Sequence, residues 1–168
     1  MPGRRRDTTA VRQRQRRARP AKDSPSRKAH PTATPAVPRH HTRPPTVLLV
    51  DDDPDSRTMY GFYLRSLGCI VQTAADGDSA VKSATSLQPD VIVLDLAMPI
   101  VDGWTAAERL KRASVTRHIP IVALTAVPGA RESTRISGCD AFLAKPCLPQ
   151  LLWCEISLLL NLHQNPSA

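Results

Sequence analysis

Four short apolar runs constrain this chain more than any other feature, because each stops at a residue that carries chemistry. Val47-Leu48-Leu49-Val50 runs into Asp51, Asp52 and Asp53, and Val91-Ile92-Val93-Leu94 runs into Asp95. Ile121-Val122-Ala123-Leu124 runs into Thr125, and Ala141-Phe142-Leu143-Ala144 runs into Lys145 and Pro146. A continuous apolar stretch of this length is the pattern of a strand covered on both faces, as in a parallel sheet. Three adjacent carboxylates at such a strand end repel one another, and a hard divalent metal is the simplest cation to place among them.

Between the runs the periodicity is helical. Met59, Phe62, Tyr63 and Leu67 recur at helical spacing, with Pro54 at the start of that segment and Gly68 just past its end. Cys69-Ile70-Val71 reads as a further short strand. Ala80, Val81, Ala84 and Leu87 form a second helix, opened near Asp76-Gly77-Asp78 and closed before Pro89. The third strand spans Asp90 to Asp95. A third helix runs from about Gly103 to Arg112, with Ala106, Ala107 and Leu110 inward. Pro120 opens the fourth strand, and a short fourth helix follows around Arg131–Ser137. Leu148–Leu162 forms the last helix, and its leucines cover more than one face. That surplus points to a covered partner surface, such as a homodimer built through the C-terminal half.

Five strands and five helices in alternation predict an α/β fold, a doubly wound parallel sheet with helices on both faces and right-handed crossovers. Ligands in such sheets bind beyond the carboxyl ends of the strands. Asp51–Asp53, Asp95, Thr125 and Lys145 all fall at those ends, so the fold gathers them into one pocket.

Charge divides the chain. Residues 1–45 hold 13 Lys/Arg, 2 Asp and 8 of the 16 prolines, while residues 46–168 hold 10 Lys/Arg and 13 Asp/Glu. The high isoelectric point therefore belongs to the front of the chain. Residues 1–45 read as a disordered Arg/Pro-rich tail suited to non-specific contact with anionic partners. No apolar segment follows its arginines as a secretory signal requires, and no run reaches the ~18 apolar residues of a membrane span. Residues 46–163 form the folded domain and residues 164–168 a short C-terminal tail. Cys69, Cys139, Cys147 and Cys154 match no zinc spacing and read as reduced thiols of a cytoplasmic protein. Cys147 and Cys154, seven apart, are placed to share a helix face.

The pocket chemistry suits phosphoryl transfer. A carboxylate can accept a phosphoryl group as an acyl phosphate. The transferring group spreads negative charge over its oxygens, so catalysis needs a metal, a cation and neutral donors around it. Asp51 and Asp52 can hold Mg²⁺, Lys145 supplies a point charge, Thr125 supplies a hydroxyl, and Asp95 between them is the natural nucleophile.

Residues 46–163 resemble a receiver domain of two-component response regulators, of the chemotaxis-regulator type. The motifs are Val50-Asp51-Asp52-Asp53, Leu94-Asp95-Leu96-Ala97-Met98-Pro99, Asp102-Gly103, Leu124-Thr125-Ala126 and Lys145-Pro146. Asp52 lies 43 residues before Asp95, and Asp95 lies 30 before Thr125. The resemblance implies a flavodoxin-like sheet of strand order 2-1-3-4-5. It implies Asp95 as the phosphorylated residue and Asp51, Asp52, Asp95 and the backbone carbonyl of Ala97 as ligands of Mg²⁺. Thr125 takes the part of the switch hydroxyl, Lys145 that of the phosphate-pairing lysine and Phe142 that of the switch aromatic. The Lys145–Pro146 bond is implied to be cis.

The same resemblance implies a regulator that is not an enzyme in its own right, and the roughly 20 residues after Lys145, all needed for the last helix, lead to the expectation of a single-domain regulator without a DNA-binding output domain. Its phosphoryl donor would be a sensor histidine kinase or a histidine phosphotransfer protein. Several positions depart from the pattern. Cys147 stands where a large apolar residue is usual, and Thr125 to Lys145 is a short 20 residues. Ala97 and Val127 carry no polar group to steer water, which implies slow loss of the phosphoryl group.

Two other readings compete. A phosphatase of the haloacid dehalogenase type also uses a strand-end aspartate, but it needs an acid two residues later, where this chain has Ala97. A receiver-fold module that binds partners without being phosphorylated would be marked by loss of a pocket residue, and none is lost. For single residues the plain readings are a solvated acidic patch for Asp51–Asp53, core packing for Phe142, Trp104 and Trp153, and a neighbour rather than a ligand for Asp53.

Overall fold

A computed structural model of the chain describes residues 43–99, 103–126 and 138–164. Five strands form one parallel sheet: β1 (Thr46–Val50), β2 (Ile70–Ala74), β3 (Val91–Asp95), β4 (Ile121–Thr125) and β5 (Ala141–Ala144). Their order is β2-β1-β3-β4-β5, the expected order. Four helices are described: α1 (Pro54–Ser66), α2 (Gly77–Leu87), α3 (Gly103–Arg112) and α4 (Pro149–Gln164). The helix expected around 131–137, the Asp102 motif position and residues 1–42 and 165–168 lie outside the described residues.

Alternation along the strands builds two cores. Val47, Leu49, Val91, Val93, Val122 and Leu124 point to one face, where Tyr60 and Leu64 of α1 and Leu152, Trp153 and Ile156 of α4 cover them. Leu48, Val50, Ile92, Leu94, Ile121 and Ala123 point to the other. There the small Ala80, Ala84, Ala106 and Ala107 bring α2 and α3 close to the sheet. β1, β3 and β4 are buried throughout, which is why they read as unbroken apolar runs. β2 is an edge strand with exposed Ile70, Gln72 and Thr73, so it extends three residues past the apolar stretch that marked it.

Local chemistry sets the helix ends. Asp53 caps α1 by accepting from the amides of Asp55 at 3.2 Å and Ser56 at 3.0 Å, with Pro54 in the first turn. Gly68 takes φ +88° just after that helix, a conformation glycine adopts without cost. Asp76 caps α2 through the Ser79 amide at 2.8 Å.

Two expectations about helix faces are corrected. The inward face of α1 is Tyr60, Gly61 and Leu64, whereas Met59 is 47% and Phe62 76% exposed. Leu67 and Tyr63, the other two residues of the expected stripe, do join the core side, so spacing alone selects a stripe that is half right. Cys147 and Cys154 share no face. Cys147 precedes α4 and is buried, while Cys154 on α4 is exposed. Trp153 is buried in the α1/α4 core and Trp104 packs at the margin of the α2/α3 core, in keeping with packing roles. The last helix starts at Pro149 rather than Leu148, and the surplus leucines do reach solvent at Leu151 and Leu158 on it and at Leu148 just before it.

Candidate functional site

Strand register brings the predicted residues together. Val50 pairs with Leu94, Asp95 with Leu124, and Thr125 with Ala144, so β1, β3, β4 and β5 end side by side. Asp51 follows β1, Asp95 closes β3, Thr125 closes β4, and Lys145 follows β5. Asp51, Asp95 and Thr125 are buried, and Asp52 is exposed at the mouth.

One ammonium bridges two strands. Lys145 Nζ donates to Asp51 Oδ2 at 2.7 Å and to Asp95 Oδ2 at 2.6 Å. Backbone amides fill the other oxygens: Asp53 N–H donates to Asp51 Oδ1 at 2.9 Å, and Ala97 N–H donates to Asp95 Oδ1 at 2.8 Å. Lys145 is also tethered by its main chain, whose N–H donates to the Thr125 carbonyl at 2.9 Å. The Lys145–Pro146 bond is cis.

Burial pushes the Asp51 carboxyl above its ordinary value, and the Lys145 and Asp53 hydrogen bonds offset only part of this. For Lys145 burial acts downward, but the hydrogen bonds to Asp51 and Asp95 outweigh it and the net shift is upward. The two directions oppose each other for the ion pair. The Lys145 direction governs, because two carboxylates face a single ammonium, and Lys145 stays charged.

One oxygen from each of Asp51, Asp52 and Asp95 lies within 4.8 Å of the others. Magnesium takes octahedral oxygen ligands at ~2.1 Å, so opposite ligands stand ~4.2 Å apart. The three carboxylates thus lie within reach of one ion, and the single ammonium leaves the group net negative. The donor set fits Mg²⁺. Asp53 does not join it, since its carboxylate is turned onto its own helix. The Ser56 hydroxyl and amide hold the Asp53 carboxyl below the usual range. Phe142 pairs in register with Ala123 and is partly buried against the α2/α3 core. Val127 lies outside the described residues.

Two contributions escaped sequence reasoning, and the contact behind a third, the glycine of the Asp102-Gly103 motif, was hidden. The Arg57 guanidinium donates to the Asp51 carbonyl at 2.5 Å, clamping the turn that carries the acids. A Cβ on Gly103 would stand 2.1 Å from the Asp95 carbonyl oxygen and 2.6 Å from the Leu96 Cα, so only glycine lets α3 start against the acidic strand end. Tyr60 donates to the Cys147 carbonyl at 2.8 Å. For Gly103 the neighbouring Asp102 was a visible signal. For the other two the partners are distant or main-chain atoms that leave no local pattern.

Comparison with known proteins agrees with this geometry. Residues 47–156 match the response regulator receiver domain family. The DNA-binding dual master transcriptional regulator RpaA of Synechocystis sp. is 40% identical over 104 residues, 61% of this chain and 43% of that protein. The receiver domain of a Pseudomonas aeruginosa sensor histidine kinase, solved with a magnesium ion in its active site cleft, superposes with a TM-score of 0.66. It is 35% identical and covers 70% of this chain and 98% of its own. The chemotaxis protein CheY4 of Vibrio cholerae superposes at 0.65 with 30% identity, over 69% of this chain and 98% of its own. The chain spans half or less of the length of the curated relatives it matches. No helix among the described residues is long and apolar enough to cross a membrane.

Proposed function

The chain belongs to the response regulator receiver domain family, and from that premise we propose that Asp95 accepts a phosphoryl group from a sensor histidine kinase or a histidine phosphotransfer protein. A receiver domain is a signalling module, not an enzyme with a turnover substrate. The observation that carries the proposal is the Lys145 ammonium bridging Asp51 and Asp95 within a cluster of three carboxylates.

An Asp95 carboxylate oxygen attacks phosphorus as the phosphorus–nitrogen bond of the donor histidine breaks and the imidazole leaves. Mg²⁺ held by Asp51, Asp52, Asp95 and the Ala97 carbonyl would screen the carboxylates from the incoming phosphoryl oxygens. Lys145 moves its hydrogen bond from the Asp95 carboxylate to a phosphoryl oxygen. Thr125 donates its hydroxyl to another, which shifts the end of β4 and lets Phe142 on the neighbouring strand repack. A partner then reads the altered surface.

Incubation with acetyl phosphate and Mg²⁺ tests this reading. The expected product is one adduct of about 80 Da, lost in Asp95→Asn. Labelling that persists in Asp95→Asn moves the acceptor elsewhere. No labelling at all leaves a receiver fold that binds partners without phosphorylation. Turnover of phosphate esters would return the chain to the phosphatase reading. With no polar side chain at position 97, the phosphorylated state is expected to last minutes or longer, and a decay within seconds contradicts that.

Three further parts of the proposal concern setting and contacts. Exposed Leu148, Leu151 and Leu158 in the C-terminal half form the surface for self-association, read by sedimentation of a Leu151→Gln/Leu158→Gln variant. Residues 1–45, with 13 Lys/Arg against 2 Asp, make non-specific contacts with anionic partners, read as salt-dependent retention on heparin. Free thiols at Cys69, Cys147 and Cys154 fit a reducing, cytoplasmic setting, read by fractionating cells that express the chain.

A further inference from the structure

We infer that Tyr60 is a positioning residue for Lys145: its hydroxyl, donating to the Cys147 carbonyl, ties α1 to the turn that carries Lys145 and so holds the ammonium between Asp51 and Asp95. The function of that placement rests on the phosphoacceptor reading of the site.

The turn is anchored on its far side by the buried Cys147 side chain and by the Leu148 carbonyl, which accepts from the Leu151 and Leu152 amides at 2.9 and 3.3 Å, but the Lys145 side is looser. β5 is an edge strand whose residues are half-buried at Ala141, Phe142 and Leu143 and exposed at Ala144. The described side of the turn lines a cavity of about 620 Å³ together with Met59, Ala126 and Leu148. Packing on that side is therefore incomplete. Pro146 has no N–H, so the residue next to Lys145 adds no backbone donor to hold the turn. Two hydrogen bonds bracket Lys145 in the chain. Before it, the Lys145 N–H is fixed to the Thr125 carbonyl at 2.9 Å. Two residues after it, the Cys147 carbonyl is fixed by Tyr60 at 2.8 Å.

Tyr60 is built for this task. Its ring is 3% exposed and belongs to the same core as Leu64, Leu152 and Trp153, so the hydroxyl is delivered from a packed platform. A phenol is protonated at neutral pH in any setting, and burial pushes that of Tyr60 further up, so the hydroxyl is a donor. Residues 60 and 147 are 87 apart in the chain, so this one bond joins the helix after the acidic strand to the turn after the basic one. Phenylalanine would keep the packing and remove only the tether.

A double-mutant cycle on the full chain tests the inference, with acetyl phosphate and Mg²⁺ as probes. Tyr60→Phe is expected to lower the rate of Asp95 phosphorylation about tenfold while thermal unfolding still shows a folded protein. In the Lys145→Met background the same change is expected to cost nothing further, because the residue it positions is gone. An equal loss in both backgrounds, or no loss beside a native Lys145, overturns the inference.

A second measurement does not depend on phosphorylation. The ¹H–¹⁵N signal of the Lys145 ammonium, held by two carboxylates and assigned by its loss in Lys145→Met, is expected to broaden into solvent exchange in Tyr60→Phe. A signal as sharp as in the unaltered chain overturns the inference. If the unaltered chain takes no phosphoryl group but the ammonium signal still depends on Tyr60, the phosphoacceptor reading falls and the positioning role stands.

Discussion

At the carboxyl ends of the strands three acids cluster around one ammonium that bonds only Asp51 and Asp95, whereas at the amino ends Asp90 and Asp140 each have their own cation and their own backbone amide. Asp90 accepts from the Thr46 amide at 2.7 Å and from both arms of Arg43 at 3.0 and 2.7 Å. Asp140 accepts from the Ile121 amide at 2.8 Å and from Lys111 at 2.7 Å. The amino-end carboxylates are locally neutralised and fasten strand starts. The carboxyl-end group carries three negative charges against one positive, two of the acids nearly fully buried. The same residue types thus serve as staples at one end and as an unsatisfied demand for cation at the other. Charge balance, more than the number of acids, separates a structural cluster from a chemical one.

The comparison breaks first at Gly103. Gly103→Ala forces a methyl group onto the Asp95 carbonyl and is expected to cost about 3 kcal/mol in urea unfolding. A loss under about 1 kcal/mol would mean that α3 can withdraw from the acidic strand end. Next comes the shared cation. Lys145→Met is expected to cost about 2 kcal/mol, less than for a fully buried pair. Mg²⁺ at ten times its dissociation constant should return about 1.4 kcal/mol. A variant that Mg²⁺ leaves unchanged contradicts the cation-demand reading.

Signs then sharpen the contrast. In metal-free buffer Asp95→Asn relieves repulsion while keeping an acceptor, and is expected to stabilise by about 1 kcal/mol. Asp140→Asn leaves the half-buried Lys111 without its counter-ion and is expected to destabilise by about 1 kcal/mol. Thermal unfolding of the two variants side by side reads this, and shifts of the same sign undo the distinction. The smallest effect concerns the layer between the two ends. Burial pushes the Cys69 thiol up to about 11, so at pH 8 it stays protonated as well as covered. Ellman's reagent is expected to modify exposed Cys154 first and to leave Cys69 until unfolding. Early reaction at Cys69 would show a core that opens.

Much of this architecture is legible in the residues themselves. β1, β3 and β4 announce themselves because both faces are covered, and their final residues name the site. α3 was readable from Gly103 to Arg112 because Ala106, Ala107 and Leu110 lie on one stripe. The edge elements were harder. Gln72 and Thr73 face solvent on β2 and hide its length. On α1, Met59 and Phe62 imitate a core stripe while Tyr60 and Leu64 form the real one. The contacts that finish the site were not legible at all. Tyr60 to Cys147 joins residues far apart in the chain, and Arg57 binds a main-chain oxygen, so neither follows from side-chain spacing. The three site acids were found because they end apolar runs. Asp53 sits beside them and reads from the sequence as a neighbour rather than a ligand, and its carboxylate capping α1 gives the physical reason.

The forked grip of Arg43 on Asp90 has a practical corollary. It moors the incoming polypeptide at the pole of the domain opposite the acidic mouth, and a five-residue strand spans roughly 17 Å between the two. A dye or affinity handle attached at the Arg43 end of β1 is therefore rooted a strand's length from the carboxyl-end acids.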